Sequence, residues 1–394
     1  MMALHEAVIV SAVRTPVGKF GGCFVRTPAT ELGTVAVREA LERAKVLPEE
    51  VEEVIMGNVL SAGLGQAPAR QCAIGAGIPY SAGAVTVNKV CGSGLKALML
   101  AANSIRVGEH SVIVAGGMEN MSMAPYLIKN TRWGMKYGDA TLYDEMILDG
   151  LWDVYNNFHM MITGEIVAER FHITREEADT FALRSHRLAV EATEKGFFRE
   201  EIVPVKVKGK EEVEIVKDEG PRPDTSLSKL AALSPKFKSD GICTAGNSSQ
   251  LSDGASALVV MSHEKARELG IKPIVRIIDY FTWGTRPEWV MEAPIETVRK
   301  LLERNELGIH DIDLFEHNEA YATASLAVMK SLEIREDRFN ISGGAVALGH
   351  PLGASGARIT TTLLHNLKRK GKKLGISTLC LGGGNAVAML LERM

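Results

Sequence analysis

Apolar residues follow two spacings that alternate along the chain. Short β-rich apolar runs read as strands: Ala7–Val10, Val54–Met56, Ala84–Val87 and Ser111–Ala115. Between them, apolar residues three and four apart read as helices. Leu32, Val35, Ala36 and Ala40 mark one over Glu31–Ala44, with Thr30 the expected cap. Leu95, Leu98, Met99, Ala102 and Ile105 mark another over Gly94–Arg106. This alternation predicts α/β layers.

The rhythm then repeats. Pro273–Asp279 resembles the opening strand, Ala293–Leu302 its helix and Asp313–Glu316 the next strand. Phe339–Ile341 precedes a glycine-rich turn and a helix over about Gly353–Leu367. Lys373–Cys380 and Ala386–Leu391 are the closing strands. Val112–Gly117 aligns with Ser377–Gly383, and Ser256–Ser262 with Ala386–Glu392. On that pairing the first half is 1–119 plus 252–272, the second is 273–394, and 120–251 is an insertion. The insertion carries a capping box, Thr174 with Glu177, opening a helix over Arg175–Lys195. Its segment Val205–Lys238 mixes both charges. It reads as a subdomain laid over the active face, with a third independent domain as the alternative.

Composition narrows the class. The 394 residues include 45 basic and 48 acidic side chains, a net charge of −3, which gives no pull toward nucleic acid or anionic lipid. No apolar run is long enough to span a bilayer. The stretch Met1–Val13 lacks the cationic and apolar pattern of a secretory leader. A cytoplasmic, reducing setting is expected, and the five cysteines are then thiols. No CxxC or HxxxH cluster suggests a metal site. Glycine is the unusual residue, 38 of 394.

Four motifs place chemistry at strand ends. Asn88–Gly94 sets Cys91 at a helix N-terminus, where backbone N–H groups and the helix dipole favour a thiolate. The alternative is a buried cysteine in a tight turn. Ser342–Gly356 carries five glycines and His350, whose neutral imidazole can take a thiol proton or donate to an oxyanion. The alternative is a phosphate-cradling loop with a bystander histidine. Cys380 precedes Gly382, Gly383 and Gly384; the alternative is a bulged strand end. His317-Asn318-Glu319-Ala320-Tyr321 follows a strand, where polar groups face the ligand crevice; the alternative is a helix cap by Asn318. Together they suit thioester exchange: one thiol is acylated, the other handles a carbon-bound proton, and glycine amides form an oxyanion hole.

The set resembles the thiolase family, of the acetyl-CoA acetyltransferase type, over essentially the whole chain. The motifs that carry the resemblance include Val13-Arg14-Thr15-Pro16, Gly116-Gly117-Met118-Glu119-Asn120, Thr244-Ala245-Gly246-Asn247-Ser248-Ser249, Asn318-Glu319-Ala320, Gly349-His350-Pro351 and Cys380 before three glycines. The resemblance implies two similar βαβαβαββ halves in a layered αβαβα core with an inserted loop subdomain. It implies Cys91 as nucleophile, His350 as its activator, a water held by Asn318, Cys380 as acid/base, and the Gly382 amide in a second oxyanion hole. Two acetyl-CoA would give acetoacetyl-CoA and CoA reversibly, with no metal or redox cofactor. His159, Met160, Arg222, Ala245, Ser249, Ala320 and Tyr321 would meet the CoA and acyl groups. A homotetramer is implied by the stretch Asn120–Leu151.

The alternatives are a degradative 3-ketoacyl-CoA thiolase of broader chain length and a non-catalytic acyl-CoA-binding subunit. Met161, Gly164, His317 and Tyr321 depart from the family's usual residues near the acyl pocket and leave chain length open.

Overall fold

The computed structural model describes residues 4–208 and 211–394. Met1–Ala3 of the N-terminal reading and Gly209–Lys210 of the charge-mixed segment lie outside the described residues. The strands that matter for the site are β1 (Ala7–Arg14), β2 (Glu53–Gly57), β3 (Gly83–Val87), β4 (Val112–Asn120), β5 (Ser252–Ser262), β6 (Val275–Gly284), β7 (Leu314–His317), β8 (Leu374–Leu381) and β9 (Asn385–Arg393). They join one ten-stranded sheet in the order β7-β8-β9-β6-β1-β5-β4-β2-β3, with the short strand Gly18–Lys19 paired to β5.

Each half of the sheet has the same plan. β1 runs antiparallel to β5, β5 antiparallel to β4, and β4 parallel to β2, which is parallel to β3. β6 runs antiparallel to β9, β9 antiparallel to β8, and β8 parallel to β7. Among the described residues the counterpart of β3, expected over Phe339–Ile341, is reduced to a single bridge between Phe315 and Phe339, because Asn340 turns left-handed at φ 45° and its side chain bonds back to His317. The halves meet where β1 pairs with β6 through Val8–Arg276 and Ile9–Val275.

Helices complete five layers. α1 (Ala29–Ala44) packs on the outer face of the first half. α2 (Ser93–Val107) and, from the second half, the long helix Ser355–Lys370 form a shared central layer. Leu95, Leu98 and Ile105 of the one meet Ala357, Leu363 and Leu367 of the other there. The starts of these helices approach closely: a Cβ on Gly94 would stand 2.8 Å from Ala357 N. Only glycine allows that contact.

Ala293–Arg304 and Ala322–Leu332 cover the outer face of the second half. Beside them lie two inserted helices, α3 (Met161–Arg170) and α4 (Arg175–Glu194). The Thr174–Glu177 capping box is present at the start of α4. The cap expected at Thr30 is not: α1 starts at Ala29 behind Pro28, and Thr30 lies inside the first turn accepting from Thr34 Oγ1 at 2.7 Å. Pro28 stands at the cap position instead, its carbonyl accepting from Glu31 N at 2.9 Å and Leu32 N at 3.1 Å. Arg14, fully buried, bonds Glu201 at 2.7 Å and Asp218 at 2.7 and 2.9 Å, tying the insertion to β1.

Candidate active site

Cys91 stands on a strained turn between β3 and α2. Asn88 Oδ1 accepts from Val90 N at 3.0 Å, Lys89 N donates to Ser93 Oγ at 2.8 Å, and Ser93 Oγ donates to Val90 O at 2.6 Å. These bonds hold Val90 at φ 47°, a left-handed conformation uncommon for a β-branched residue. The turn thereby sets the next residue just ahead of Gly92, which caps α2. Burial pushes the Cys91 thiol up to about 12, against the pull of the Cys91 and Gly382 backbone N–H groups. The helix-terminal position alone would favour a thiolate. Here desolvation wins, and the resting group is a thiol.

His350 follows Gly349, whose φ of 107° suits glycine. Its backbone N–H donates to Gln250 O at 3.0 Å and Ser252 Oγ at 3.2 Å. Its Nδ1 lies 2.5 Å from Ser355 Oγ, and Ser355 Oγ donates to Pro351 O at 2.9 Å. Burial, with Arg358 adding, holds the imidazole down to about 3, so it is neutral. Glu119, from the end of β4, braces the turn beyond it. Its carboxylate accepts from Asn58 Nδ2, Val59 N, Leu60 N and Gly353 N at 2.7–3.1 Å.

Asn318 comes off the end of β7 and is fully buried. Its Nδ2 is 3.4 Å from His350 Nε2, and its Oδ1 has no partner. It does not cap the following helix, which starts at Ala322 behind Tyr321. Cys380 ends β8, 2% exposed, with Sγ 3.5 Å from Met291 Sδ. Burial raises its thiol strongly, and Cys91 adds to the rise.

The two thiols and the imidazole share one narrow cavity of about 40 Å³. Cys91, His350, Cys380, Gly382, Met160, Ser249, Ala320 and Tyr321 all line it; Asn318, an expected catalytic residue, does not, and is linked to it through His350. So do Leu151, Val290 and Met291, which carry no motif and were not expected. Ser355 and Glu119 were likewise unassigned: Glu119 finds its partners far away in sequence, whereas Ser355, five residues beyond His350, was within reach of a local reading. Three expected contacts lie outside the lining. His159 is half-buried and stacks on Phe237 with centroids 4.1 Å apart. Ala245 is exposed, and so is Arg222, whose backbone N–H donates to His186 Nδ1 at 3.2 Å. His317 is also not beside the pocket. It points to the other face of β7, against Phe339, with Nδ1 3.0 Å from Ser325 Oγ.

A paired-thiol cavity with a neutral histidine, at the seam of two like halves, defines a class. Residues 7–264 match the thiolase N-terminal domain and residues 271–393 the thiolase C-terminal domain. The chain belongs to the thiolase family. It is 51% identical over 393 residues to an acetyl-CoA acetyltransferase of Cupriavidus necator, covering 99% of this chain and 100% of that one. It is 47% identical to a probable acetyl-CoA acyltransferase of Staphylococcus epidermidis, covering 99% of each. The crystal structure of the Bacillus anthracis acetyl-CoA acetyltransferase superposes with a TM-score of 0.98 at 43% identity, covering all of both chains.

Proposed function

We propose that the chain is an acetyl-CoA C-acetyltransferase, joining two acetyl-CoA into acetoacetyl-CoA and CoA, reversibly, through an acetyl-cysteine. The observation that carries this reading is the meeting of Cys91, Cys380 and His350 on one cavity. The Cys91 sulfur attacks the thioester carbonyl carbon as its proton passes to His350 Nε2. CoA leaves on taking the Cys380 proton, and sulfur has replaced sulfur on the acetyl group. The Cys380 thiolate then takes an α-proton from a second acetyl-CoA. The resulting carbanion attacks the acetyl carbon, and Cys91 recovers its proton from His350. Protons and thioesters balance at every step, so the reading calls for no metal or redox cofactor.

Oxyanion donors are available at both reaction stages. The Cys91 and Gly382 N–H groups serve one. His350 Nε2, once protonated, and a water held at Asn318 serve the other. Ser249 and Met160 at the cavity and His159 and Ala245 farther out mark the path for pantetheine, with Arg222 toward the adenine end.

The insertion 120–251 would bind CoA and join subunits. Its hairpin, Tyr126–Ile128 with Leu142–Asp144, leaves Trp133 87% exposed and Tyr137 fully exposed, which supports a tetramer. No helix among the described residues is long and apolar enough to cross a membrane. Five unpaired thiols fit a reducing cytoplasm. Incubation with acetyl-CoA followed by peptide mass mapping tests the reading: an acetyl group is expected on the Cys91 peptide, and its absence would reject catalysis by this route.

A further inference from the structure

One wall of the thiol cavity is a single aromatic ring, and that ring rests on a residue without a side chain. Gly164 is buried in the first turn of α3. A Cβ built on it would stand 3.0 Å from Tyr321 Cγ, 3.1 Å from Tyr321 Cδ2 and 2.8 Å from Cys243 Sγ. The backbone is pinned and the thiol is enclosed. Thr323 Oγ1 donates to Gly164 O at 3.0 Å and pins that turn of α3. Cys243 is 1% exposed, and its N–H donates to Glu165 Oε1 at 2.7 Å. The free space beside the Tyr321 ring is the cavity that it lines with Cys91 and Cys380. In a close-packed interior, an added methyl at 164 would therefore move the ring toward the thiols.

We propose that Gly164 is a specificity-determining residue that acts through Tyr321. By lacking a Cβ it lets the ring lie back, and the acyl pocket then takes 3-ketoacyl chains longer than acetoacetyl. This rests on the thiolase reading above and extends it to substrate range. Gly164 is a positioning residue; it touches the ring and not the substrate.

The test compares thiolysis of acetoacetyl-CoA and 3-ketohexanoyl-CoA by the full-length enzyme. Wild type, Gly164→Ala, Tyr321→Ala and the double variant are measured. Gly164→Ala should lower the kcat/KM ratio of the longer to the shorter substrate about tenfold, with kcat on acetoacetyl-CoA held within about threefold. In the Tyr321→Ala background the same substitution should change that ratio by less than about twofold. A ratio unmoved by Gly164→Ala, or moved equally in both backgrounds, overturns the proposal. So does a wild-type enzyme inactive on 3-ketohexanoyl-CoA. Should Gly164→Ala fail to fold, Tyr321→Ala alone decides: the ratio must rise, and an unchanged ratio rejects the inference. Acetylation of Cys91 is scored in the same preparations. Loss of acetylation in wild type strikes the functional reading, whereas intact acetylation without coupling strikes only this one.

Discussion

His350 Nδ1 lies 2.5 Å from Ser355 Oγ, and this contact fixes which ring nitrogen carries the proton. The serine hydroxyl already donates to Pro351 O, so it accepts from Nδ1–H. The lone pair is then on Nε2, on the side of Asn318, where a thiol proton can be received. Ser355→Ala leaves Nδ1–H without a partner, a penalty of about 1–3 kcal/mol. If that falls on the proton transfer, acetylation of Cys91 should slow about tenfold to a hundredfold. Rapid-quench measurement of the acetyl-enzyme checks this; an unchanged rate would show that the hydroxyl does not orient the ring.

The resting pair is a thiol and a neutral imidazole. Iodoacetamide labelling of Cys91 should therefore accelerate steadily from about pH 6 to about pH 9. A plateau near neutrality would reveal a preformed thiolate and contradict the burial that pushes this group up to about 12.

Dividing the work between two thiols has its own signature. Cys380→Ser keeps a hydroxyl with a much higher pKa than a thiol, so it should still allow Cys91 to be acetylated yet abolish condensation. Single-turnover assays separate the two half-reactions, and equal loss of both would show that CoA departure needs the Cys380 proton as strictly as condensation needs its thiolate.

Burial holds His317 down to about 3 in the fold, against an ordinary 6.5. A depressed histidine adds stability that is complete above pH 6.5 and is lost as pH falls below it. At pH 5 the loss is about 2 kcal/mol. Buried carboxylates raised by desolvation, such as Glu119 and Glu316, act in the opposite direction, so the effect must be read by difference. Urea unfolding of His317→Val should show a loss between pH 7.5 and pH 5 smaller than wild type's by about 2 kcal/mol. Parallel losses would exclude His317 as the source.

Glu119→Gln replaces one carboxylate oxygen with an amide N–H₂. Each oxygen now accepts two bonds, so two N–H donors lose their acceptor at a cost of about 1–3 kcal/mol each. We expect a lower melting temperature and, through Gly353, slower acetylation. An unshifted melting curve would mean the brace is dispensable.

Much of the site was readable because its members sit in short local motifs. Cys91, Cys380 and Asn318 each flank a strand end, whereas His350, also expected at one, follows the short helix Ala345–Leu348; the glycines beside Cys91, His350 and Cys380 mark close approach. Thr174 and Glu177 announce a helix start within four residues. What stayed hidden depends on distant partners. Met291 and Val290 line the cavity from an ordinary amphipathic stretch. Glu119 finds its donors from Asn58 to Gly353. The helix dipole argued for a thiolate at Cys91, but periodicity cannot weigh a dipole against desolvation. The single sheet was equally illegible, since two residues of β1 and two of β6 join the halves.

The joint between the halves also divides the chemistry. Cys91 belongs to the first half, while His350, Cys380, Asn318 and Gly382 all belong to the second. The strand plan is copied, but the chemistry is not: the place equivalent to Cys380 near the end of β4 is occupied without a thiol. Either half taken alone holds a nucleophile without its base, or a base without its nucleophile. The two halves are alike in strand plan yet not interchangeable in chemistry, and neither can act without the other.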